Sequence, residues 1–345
     1  MRKLLFAVFV IVFMRASCAD PVPLDLDKLA TGEKIVLTTK RILLEEYPGA
    51  FNPSLIKIGN DFLLTFRFCP DSFSRFWINY IGVVFLDENF NQISKPQILT
   101  TRPKKSKTPS QTEDARLFFY RDKLFLIYND NVDVTGSSLC DRRDIFMAEL
   151  QFANDRFTLS PPLKLIYAEK CNTQLWQKNW LPFEWNKTLM LSYSLNPHEV
   201  IAPNFTNGVC YHAYETRGEV NWKFGTVRGS TPPLLMDGEY FAFFHSAMKT
   251  TSSITDEYEK WHYFMGAYTF SAEPPFQITK ISSLPIVAPE FYPPSNSEKK
   301  VIFPGGCVIS DNTIYVAYGK DDNEVWIATL DKAALLRSLV PIFPE

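Results

Sequence analysis

Histidine and cysteine are scarce in this sequence, and positive charge is not in excess. The 345 residues include 4 histidines and 6 cysteines, with no Cys-x-x-Cys pair among them. Zinc sites need closely spaced Cys and His ligands, so we expect no metal, and nothing in the sequence calls for a cofactor. The formal net charge of -2 gives no reason to expect a nucleic-acid partner.

Long hydrophobic runs are also missing, apart from one at the start of the chain. The first residues, MRKLLFAVFVIVFMRASCAD, combine a basic start, an apolar stretch and small residues before Asp20. This pattern is typical of a secretory signal peptide and is short for a membrane span. We therefore assign residues 1–19 to a signal peptide and expect no membrane span after its removal. An uncleaved signal anchor is the alternative.

Export would place the mature chain outside the cell, in the lumen of the secretory pathway or, in a bacterium, in the periplasm. Asn186-Lys-Thr and Asn204-Phe-Thr match the N-glycosylation pattern, which predicts a glycoprotein in a eukaryotic host. Up to two disulfides can form in such a compartment, with a pairing that the sequence does not specify. The cysteines that remain after export are Cys69, Cys140, Cys171, Cys210 and Cys307.

The sequence does contain a repeated, aromatic-rich strand pattern. Five segments align without gaps, and each has a polar or small opening, an apolar strand, a turn and a second strand. The turns carry Asn, Asp or Gly, which accept the positive φ of tight hairpins. The segments are NPSLIKIGNDFLLTFR from Asn52, DARLFFYRDKLFLIYN from Asp114, NWLPFEWNKTLMLSYS from Asn179, STPPLLMDGEYFAFFH from Ser230 and PGGCVISDNTIYVAYG from Pro304.

Five hairpins at this spacing predict an all-β fold, the five-bladed β-propeller. Their starts are roughly 50 to 75 residues apart, which leaves room for two more strands per blade. We expect residues 20–345 to form one such domain, with a single helix after Asp331; a sandwich of about twenty strands is the alternative. Further strands are predicted from Tyr80, Asp144, Tyr211, His262 and Glu324.

The propeller geometry predicts where a ligand would bind. The first strand of each blade lines the central axis, so the polar openings of the hairpins meet in one funnel. Few ionisable groups and many aromatics, Trp176 and Trp180 among them, suit a neutral sugar. Glycosyl transfer needs a carboxylic acid to protonate the leaving oxygen while a nucleophile attacks C1.

Asp114 is the candidate for that acid. Glu113 should alternate to the other side of the extended chain and act as a supporting group. The structural alternative is that Asp114 and Arg116 only cap a strand through a salt bridge.

At these residues the sequence resembles glycoside hydrolase family 130. These five-bladed propeller enzymes include β-mannoside phosphorylases, mannosidases and related mannosyltransferases. The likeness covers nearly the whole mature chain. It rests on FNPSLI at Phe51, EDARLFFYRDKLFLIY at Glu113, KNWLPF at Lys178, GSTPPLLMDGEYFAFFHS at Gly229, MGAYTF at Met265, and VIFPGG and YGKDD near the C-terminus.

The resemblance implies that Asp114 is the general acid, and we take Asp322 as a second catalytic candidate. The substrate-binding candidates, some from the family pattern and some from the repeat, are Asn52, Ser54, Arg67, Glu113, Arg116, Lys178, Asn179, Thr231, His245 and Asp321.

Phosphorolytic members of the family hold phosphate with two arginines, before and after the Lys-Asn motif, through bidentate contacts. Arg143 matches the first, but SYSLNPHEV from Ser192 has no arginine where the second would lie. Hydrolysis would instead need a carboxylate to activate water about 6.5 to 9.5 Å from the acid. The candidates are Asp321, Asp322 and Glu324.

The sequence thus predicts a glycosidase-type enzyme that cleaves or transfers β-mannosyl-type residues by inverting single displacement. Its partner would be an oligosaccharide or glycan, with inorganic phosphate or a sugar phosphate as the second partner. Two alternatives stay open. One is a glycosyltransferase of the secretory pathway that uses a sugar phosphate or nucleotide sugar, and the other is a non-catalytic glycan-binding propeller.

Overall fold

The computed structural model describes residues 24–26, 34–70, 78–102, 110–131, 142–170, 176–252, 259–293 and 297–343. The predicted signal peptide, residues 1–19, lies outside the described residues, as do Cys140 and Cys171. The described cysteines Cys69, Cys210 and Cys307 are free thiols.

The chain folds as a five-bladed β-propeller, as the sequence predicts. Blades 1 to 5 follow one another along the chain, and each has its first strand toward the axis. A strand that precedes blade 1, β1, spans Val36–Ile42. The remaining strands are β2 Phe51–Ile58, β3 Asp61–Phe68, β4 Tyr80–Leu86 and β5 Gln97–Ile98 in blade 1; β6 Glu113–Tyr120, β7 Lys123–Asp130, β8 Asp144–Ala153, β9 Arg156–Leu159 and β10 Leu163–Tyr167 in blade 2; β11 Leu181–Trp185, β12 Thr188–Leu195, β13 His198–Pro203 and β14 Val209–Thr216 in blade 3; β15 Arg228–Gly229, β16 Leu234–Met236, β17 Glu239–Thr250, β18 Lys260–Ser271 and β19 Ile278–Ser282 in blade 4; β20 Lys299–Ser310, β21 Thr313–Lys320 and β22 Glu324–Asp331 in blade 5; and β23 Leu339–Pro341, which pairs with β19.

The five predicted hairpins are all present. In the turn of blade 2, Arg121 and Asp122 have φ values of +48° and +61°, the left-handed geometry that tight hairpins require. The predicted further strands correspond to β4, β8, β14, β18 and β22. In blade 4 the second strand runs past His245 to Thr250, because β18 pairs with it along its whole length.

The predicted helix, α1, spans Lys332–Ser338. It begins where Asp331 Oδ1 accepts a hydrogen bond from the Ala334 amide, which satisfies one of the free N–H groups of the first turn. No helix within the described ranges is long and apolar enough to cross a membrane.

The core lies between neighbouring blades. Leu63 and Leu64 are adjacent in β3 and fully buried, but alternation along the strand points them to different neighbours. Leu64 packs in a cluster with Val308 and Ile327 of blade 5, whereas Leu63 packs with Leu126 of blade 2. Each such side chain stabilises the fold by about 1.5 to 3 kcal/mol relative to an exposed one. The ring is thus held together by the apolar faces between blades.

The ring closes through β1. This strand pairs antiparallel with β22 and forms the outer strand of blade 5, with Ile42 opposite Val325. Blade 5 is therefore built from both ends of the described chain. The axis and its funnel lie at the hairpin openings, which are near the starts of β2, β6 and β11, just after β15, and at Pro304 within β20.

Candidate active site

The openings of blades 1 to 3 share an unusual backbone conformation. Asn52, Asp114 and Asn179 occupy the same position of the repeat and have φ values of +46°, +52° and +61°. Asn and Asp tolerate this left-handed geometry better than other side chains. At Asn52 and Asp114 the strand register also shifts, as in a β-bulge, which re-aims the side chain.

The two bulged side chains of blades 1 and 2 meet at the axis. Asn52 Nδ2 donates to Asp114 Oδ1 at 2.9 Å. Arg67, near the end of β3, donates through Nη1 to the same oxygen at 3.3 Å and through Nη2 to Glu113 Oε1 at 3.1 Å. Asn79 Oδ1 accepts a hydrogen bond from Arg67 Nε at 2.8 Å. The expectation that Glu113 points to the other side of the chain from Asp114 is wrong. The left-handed backbone at Asp114 breaks the alternation of the strand, so both carboxylates reach the guanidinium of Arg67.

Glu113 is a buried carboxylate surrounded by donors. It is 3% exposed. Besides Arg67, it accepts from Lys178 Nζ at 2.8 Å and from Asn129 Nδ2 at 3.1 Å, and Arg143 Nη2 lies 3.5 Å away. With both oxygens occupied, Glu113 fixes the positions of these cations.

These contacts shift the pKa values of the acids and of the arginine between them. Burial alone would raise the pKa of Asp114, but the charges of Arg67, Lys178 and Arg116 outweigh it and bring the pKa down to about 2. The pKa of Glu113 is likewise lowered, because Arg67 and Lys178 outweigh its burial. Burial lowers the pKa of Arg67, yet the two carboxylates hold that pKa above its usual value.

Arg116 lies beneath the funnel. Its guanidinium is buried, donates through Nε to the Ser230 carbonyl of blade 4 and through Nη1 to the Asp114 carbonyl at 2.6 Å, and lies over the Phe303 ring. Burial lowers the pKa of Arg116 to about 10. Arg116 therefore braces the floor of the funnel across the axis.

His245 is a buried, neutral imidazole on the far wall. Its Nδ1 shares a hydrogen bond of 2.7 Å with Ser230 Oγ, and its ring packs 4.6 Å from that of Phe303. Burial, with Arg228 and Arg116 nearby, lowers the pKa of His245 to about 3. Asp114 and Lys178 also act on it electrostatically, so His245 lies in their neighbourhood.

Asp321 and Asp322 form a left-handed turn after β21, both with φ of +52°. Asp321 Oδ1 accepts the Val301 amide at 2.9 Å, which ties the turn to β20. Asp322 is exposed to solvent, yet surrounding protein raises its pKa by desolvation, as expected for a group in a concave pocket. The charges of Arg67 and Asp114 act on its pKa as well. Asp322 is therefore within electrostatic reach of Arg67 and Asp114.

Two predicted substrate-binding hydroxyls point into the protein. Ser54 and Thr231 are fully buried, and each accepts a backbone N–H, from Leu117 at 3.0 Å and from Phe243 at 2.9 Å. Both hydroxyls brace strands rather than line the open funnel.

Asn179 and Lys178 are half-buried at the opening of blade 3, and Arg143 is buried beside Glu113. The funnel therefore brings together Asn52, Arg67, Glu113, Asp114, Arg143, Lys178, Asn179, His245 and Asp322. Their individual roles stay predictions. In the described ranges, no group of three or more His, Cys, Asp or Glu residues could hold a metal ion.

Two contacts in the site were not predicted. Asn129 lies at the end of a second strand, so the repeat marked it as polar, but nothing in the sequence linked it to Glu113. Asn79 belongs to no repeated position, and only the folded chain places it beside Arg67.

The sequence model of one protein family matches most of the chain. The family is glycoside hydrolase family 130, described as beta-1,4-mannooligosaccharide phosphorylase, and the match spans residues 28–339. This chain belongs to that family. The resemblance found in the motifs is therefore confirmed, and so is the prediction of a glycosidase-type, carbohydrate-active enzyme.

Solved structures share the fold at low sequence identity. A glycosyl hydrolase from Bacteroides ovatus is 13% identical, with a TM-score of 0.59, and the match covers 86% of this chain and 87% of the other. A beta-1,2-mannobiose phosphorylase from Listeria innocua, solved with beta-1,2-mannobiose, is 14% identical, with a TM-score of 0.57 and coverage of 88% and 96%. A mannose phosphorylase from Leishmania mexicana, solved with phosphate ion, is 11% identical, with a TM-score of 0.57 and coverage of 92% and 95%. No curated protein matches the chain in sequence.

Proposed function

We propose that this protein cleaves β-mannosidic linkages of an oligosaccharide by a single displacement that inverts C1, with Asp114 as general acid. Family membership supports the reaction class. One observation supports the assignment of the acid. Of the two adjacent carboxylates that bind Arg67, Asp114 is partly accessible, whereas Glu113 is buried with both oxygens occupied by donors.

In this proposal, Asn52 and Arg67 orient Asp114, and Asp322 is the second carboxylate of the site. The Asp114 pKa of about 2 means that the group is ionised at neutral pH without substrate. A bound sugar displaces the water that solvates the carboxylate, which raises its pKa in the complex. Proton uptake would therefore accompany substrate binding.

The attacking group is water or phosphate. In hydrolysis, Asp322 would accept the proton of the attacking water, which its exposure and its electrostatic contact with Asp114 support. A second candidate function is phosphate-dependent, either phosphorolysis or transfer from a sugar phosphate. It is supported by Arg143 and Lys178, two cations brought together on Glu113. Ser192–Val200 supplies no further arginine.

Product analysis tests the proposal. The protein is incubated with β-1,2- and β-1,4-linked mannobiose and mannotriose, with and without inorganic phosphate, and early products are read by proton NMR. Inverting hydrolysis releases α-mannose first, and phosphorolysis releases α-mannose 1-phosphate only when phosphate is present. A first product with the β configuration, or no cleavage of any mannoside, would contradict the proposal. Parallel incubations with mannose 1-phosphate or GDP-mannose and an acceptor mannoside detect transfer.

We also propose that the chain is exported and, in a eukaryotic host, glycosylated at Asn186 and Asn204. Both asparagines are exposed. Asn186 lies in the hairpin turn of blade 3 and Asn204 in the turn after β13, on the face opposite the funnel openings, so sugars there would leave the funnel clear. The mass of the protein from its own cells, before and after treatment with a peptide N-glycosidase, tests this. An unchanged mass contradicts it.

A further inference from the structure

Trp176 is a large aromatic side chain at the funnel that the proposed mechanism does not use. It is 51% exposed. Its backbone is fixed, because Trp176 forms an isolated parallel bridge with Arg143 and the next amide, that of Gln177, donates to the Arg143 carbonyl at 2.9 Å.

One face of the indole is covered by cations. Arg143 Cζ lies 5.3 Å and Lys178 Nζ 4.9 Å from the ring centroid, within the range of cation–π attraction. Both cations also bind the carboxylate of Glu113. One small carboxylate cannot reach cations on opposite faces of an indole, so Arg143 and Lys178 lie on the same face. The exposed area of Trp176 therefore belongs mainly to the other face.

Short contacts connect this open face to the candidate acid. Asp114 and Glu113 share Arg67, Glu113 binds Lys178 at 2.8 Å, and Lys178 lies under Trp176. Asn52 and Arg67 approach Asp114 from blade 1, whereas Trp176 stands on the side of blade 3. The indole and the two groups that orient Asp114 thus come from opposite sides of blade 2.

We propose that the open face of Trp176 stacks on the apolar face of the sugar on the leaving-group side of the scissile bond. The proposal rests on the proposed function, in which Asn52 and Arg67 orient Asp114 as the acid. A sugar ring presents axial C–H groups on one face, and an indole offers a flat apolar surface of matching size. The cations beneath the ring fix its orientation, so little freedom is lost when a sugar binds. Trp176 would then select oligosaccharides over a single sugar.

The test compares the binding of a monosaccharide with that of a disaccharide. In an Asp114→Asn background, which lowers turnover, mannose and β-linked mannobiose are titrated by calorimetry, which measures affinity in every variant, and tryptophan fluorescence is followed where Trp176 is present. We expect mannobiose to change the fluorescence, and Trp176→Ala to weaken its binding by about tenfold with little effect on mannose. Trp176→Phe should retain most of the affinity, because an aromatic face remains. Phe205→Ala is the matched control, since Phe205 is 44% exposed and lies in the turn after β13, on the face opposite the funnel openings.

Three other outcomes are possible, and each contradicts either the stacking proposal or the proposed function. Equal weakening of mannose and mannobiose in Trp176→Ala would mean that the indole only supports Arg143 and Lys178. Unchanged mannobiose binding would overturn the proposal outright. If the wild type neither binds nor cleaves mannosides, the proposed function fails instead. Titration of other β-linked disaccharides against their component sugars then decides the role of Trp176 separately.

Discussion

Blades 1 to 3 and blades 4 and 5 use the same hairpin opening in different ways. The first three open with Asn52, Asp114 and Asn179 in left-handed geometry, whereas Ser230 and Pro304 in blades 4 and 5 are not left-handed. Ser230 instead offers its carbonyl to Arg116.

Blade 5 continues from Pro304 with Gly305 and Gly306, which lie against the backbone of blade 1. Left-handed non-glycine residues carry strain and collect at functional sites. Blades 1 to 3 therefore bring polar groups to the site from the starts of their hairpins, whereas blades 4 and 5 bring His245 and Asp322 from the far ends of theirs and close the ring with Ser230 and Gly306.

The largest expected effect comes from Asp114→Asn. Loss of the general acid should lower kcat by about 10³-fold, within the usual range for general acid catalysis. The fold should be retained, because Asn accepts a left-handed backbone as readily as Asp. Steady-state kinetics on the substrate found by product analysis, with circular dichroism, check this.

Asp122→Asn is the control, since Asp122 is left-handed and exposed at the far end of the same hairpin. Wild-type turnover in Asp114→Asn would contradict the assignment of the acid.

Gly306→Ala tests the closing role of blade 5. A Cβ there would lie 2.2 Å from the Leu55 amide nitrogen and 2.8 Å from Ser54 Oγ, so blades 1 and 5 must separate. We expect a loss of about 3 kcal/mol in the free energy of unfolding, as for overpacking in a core. Urea unfolding measures it.

Gly238→Ala serves as the comparison. Gly238 has open space around its Cα but a φ of +84°, so only backbone strain of about 1 kcal/mol is expected. Equal losses in the two variants would show that blades 1 and 5 do not pack tightly.

Substitutions at Asn179 and Ser230 test the backbone difference directly. At Asn179, Gly should be more stable than Ala by about 1 kcal/mol, because only Gly adopts left-handed geometry without strain. At Ser230 the order should reverse, with Ala more stable than Gly, because an unfolded chain with Ala loses less backbone entropy on folding than one with Gly. Thermal unfolding of the four variants measures both differences. The same order at the two positions would remove the distinction between the blades.

The smallest expected effect is a shift of pH dependence in Lys178→Gln. The Lys178 charge lowers the pKa of Asp114, so its removal raises that pKa and keeps the acid protonated to higher pH. Because kcat reports the pKa of the substrate complex, in which Asp114 is protonated, the alkaline limb of kcat should move to higher pH, by less than about one unit. Lys123→Gln, which removes an exposed lysine paired with Glu149, should leave the profile unchanged. A limb that moves to lower pH would contradict Asp114 as the group that must be protonated.

The fold was predictable because its signals are local. Turn residues such as Asp237-Gly238 and alternating apolar residues mark each hairpin wherever it lies in the chain. The assembly of the site was less predictable, because a side chain's direction depends on bulges that residue types do not reveal. Ser54 is polar and correctly placed in the repeat, yet its hydroxyl turns to the backbone of β6. Asn79 binds Arg67 from outside any repeat, and the pairing of β3 with β4 brings the two together.

The pairing of β1 with β22 has a consequence for how the protein is made. β1 leaves the ribosome well before its partner strand β22, because blades 1 to 4 are synthesised between the two. Until then β1 has no sheet to join, and its apolar side chains, such as Ile42, lack their neighbours in blade 5. Such late, long-range pairing is slow and leaves a partly made chain prone to aggregation. A nascent chain without residues 324–331 would therefore hold all the acids of blades 1 and 2 and still lack a working pocket.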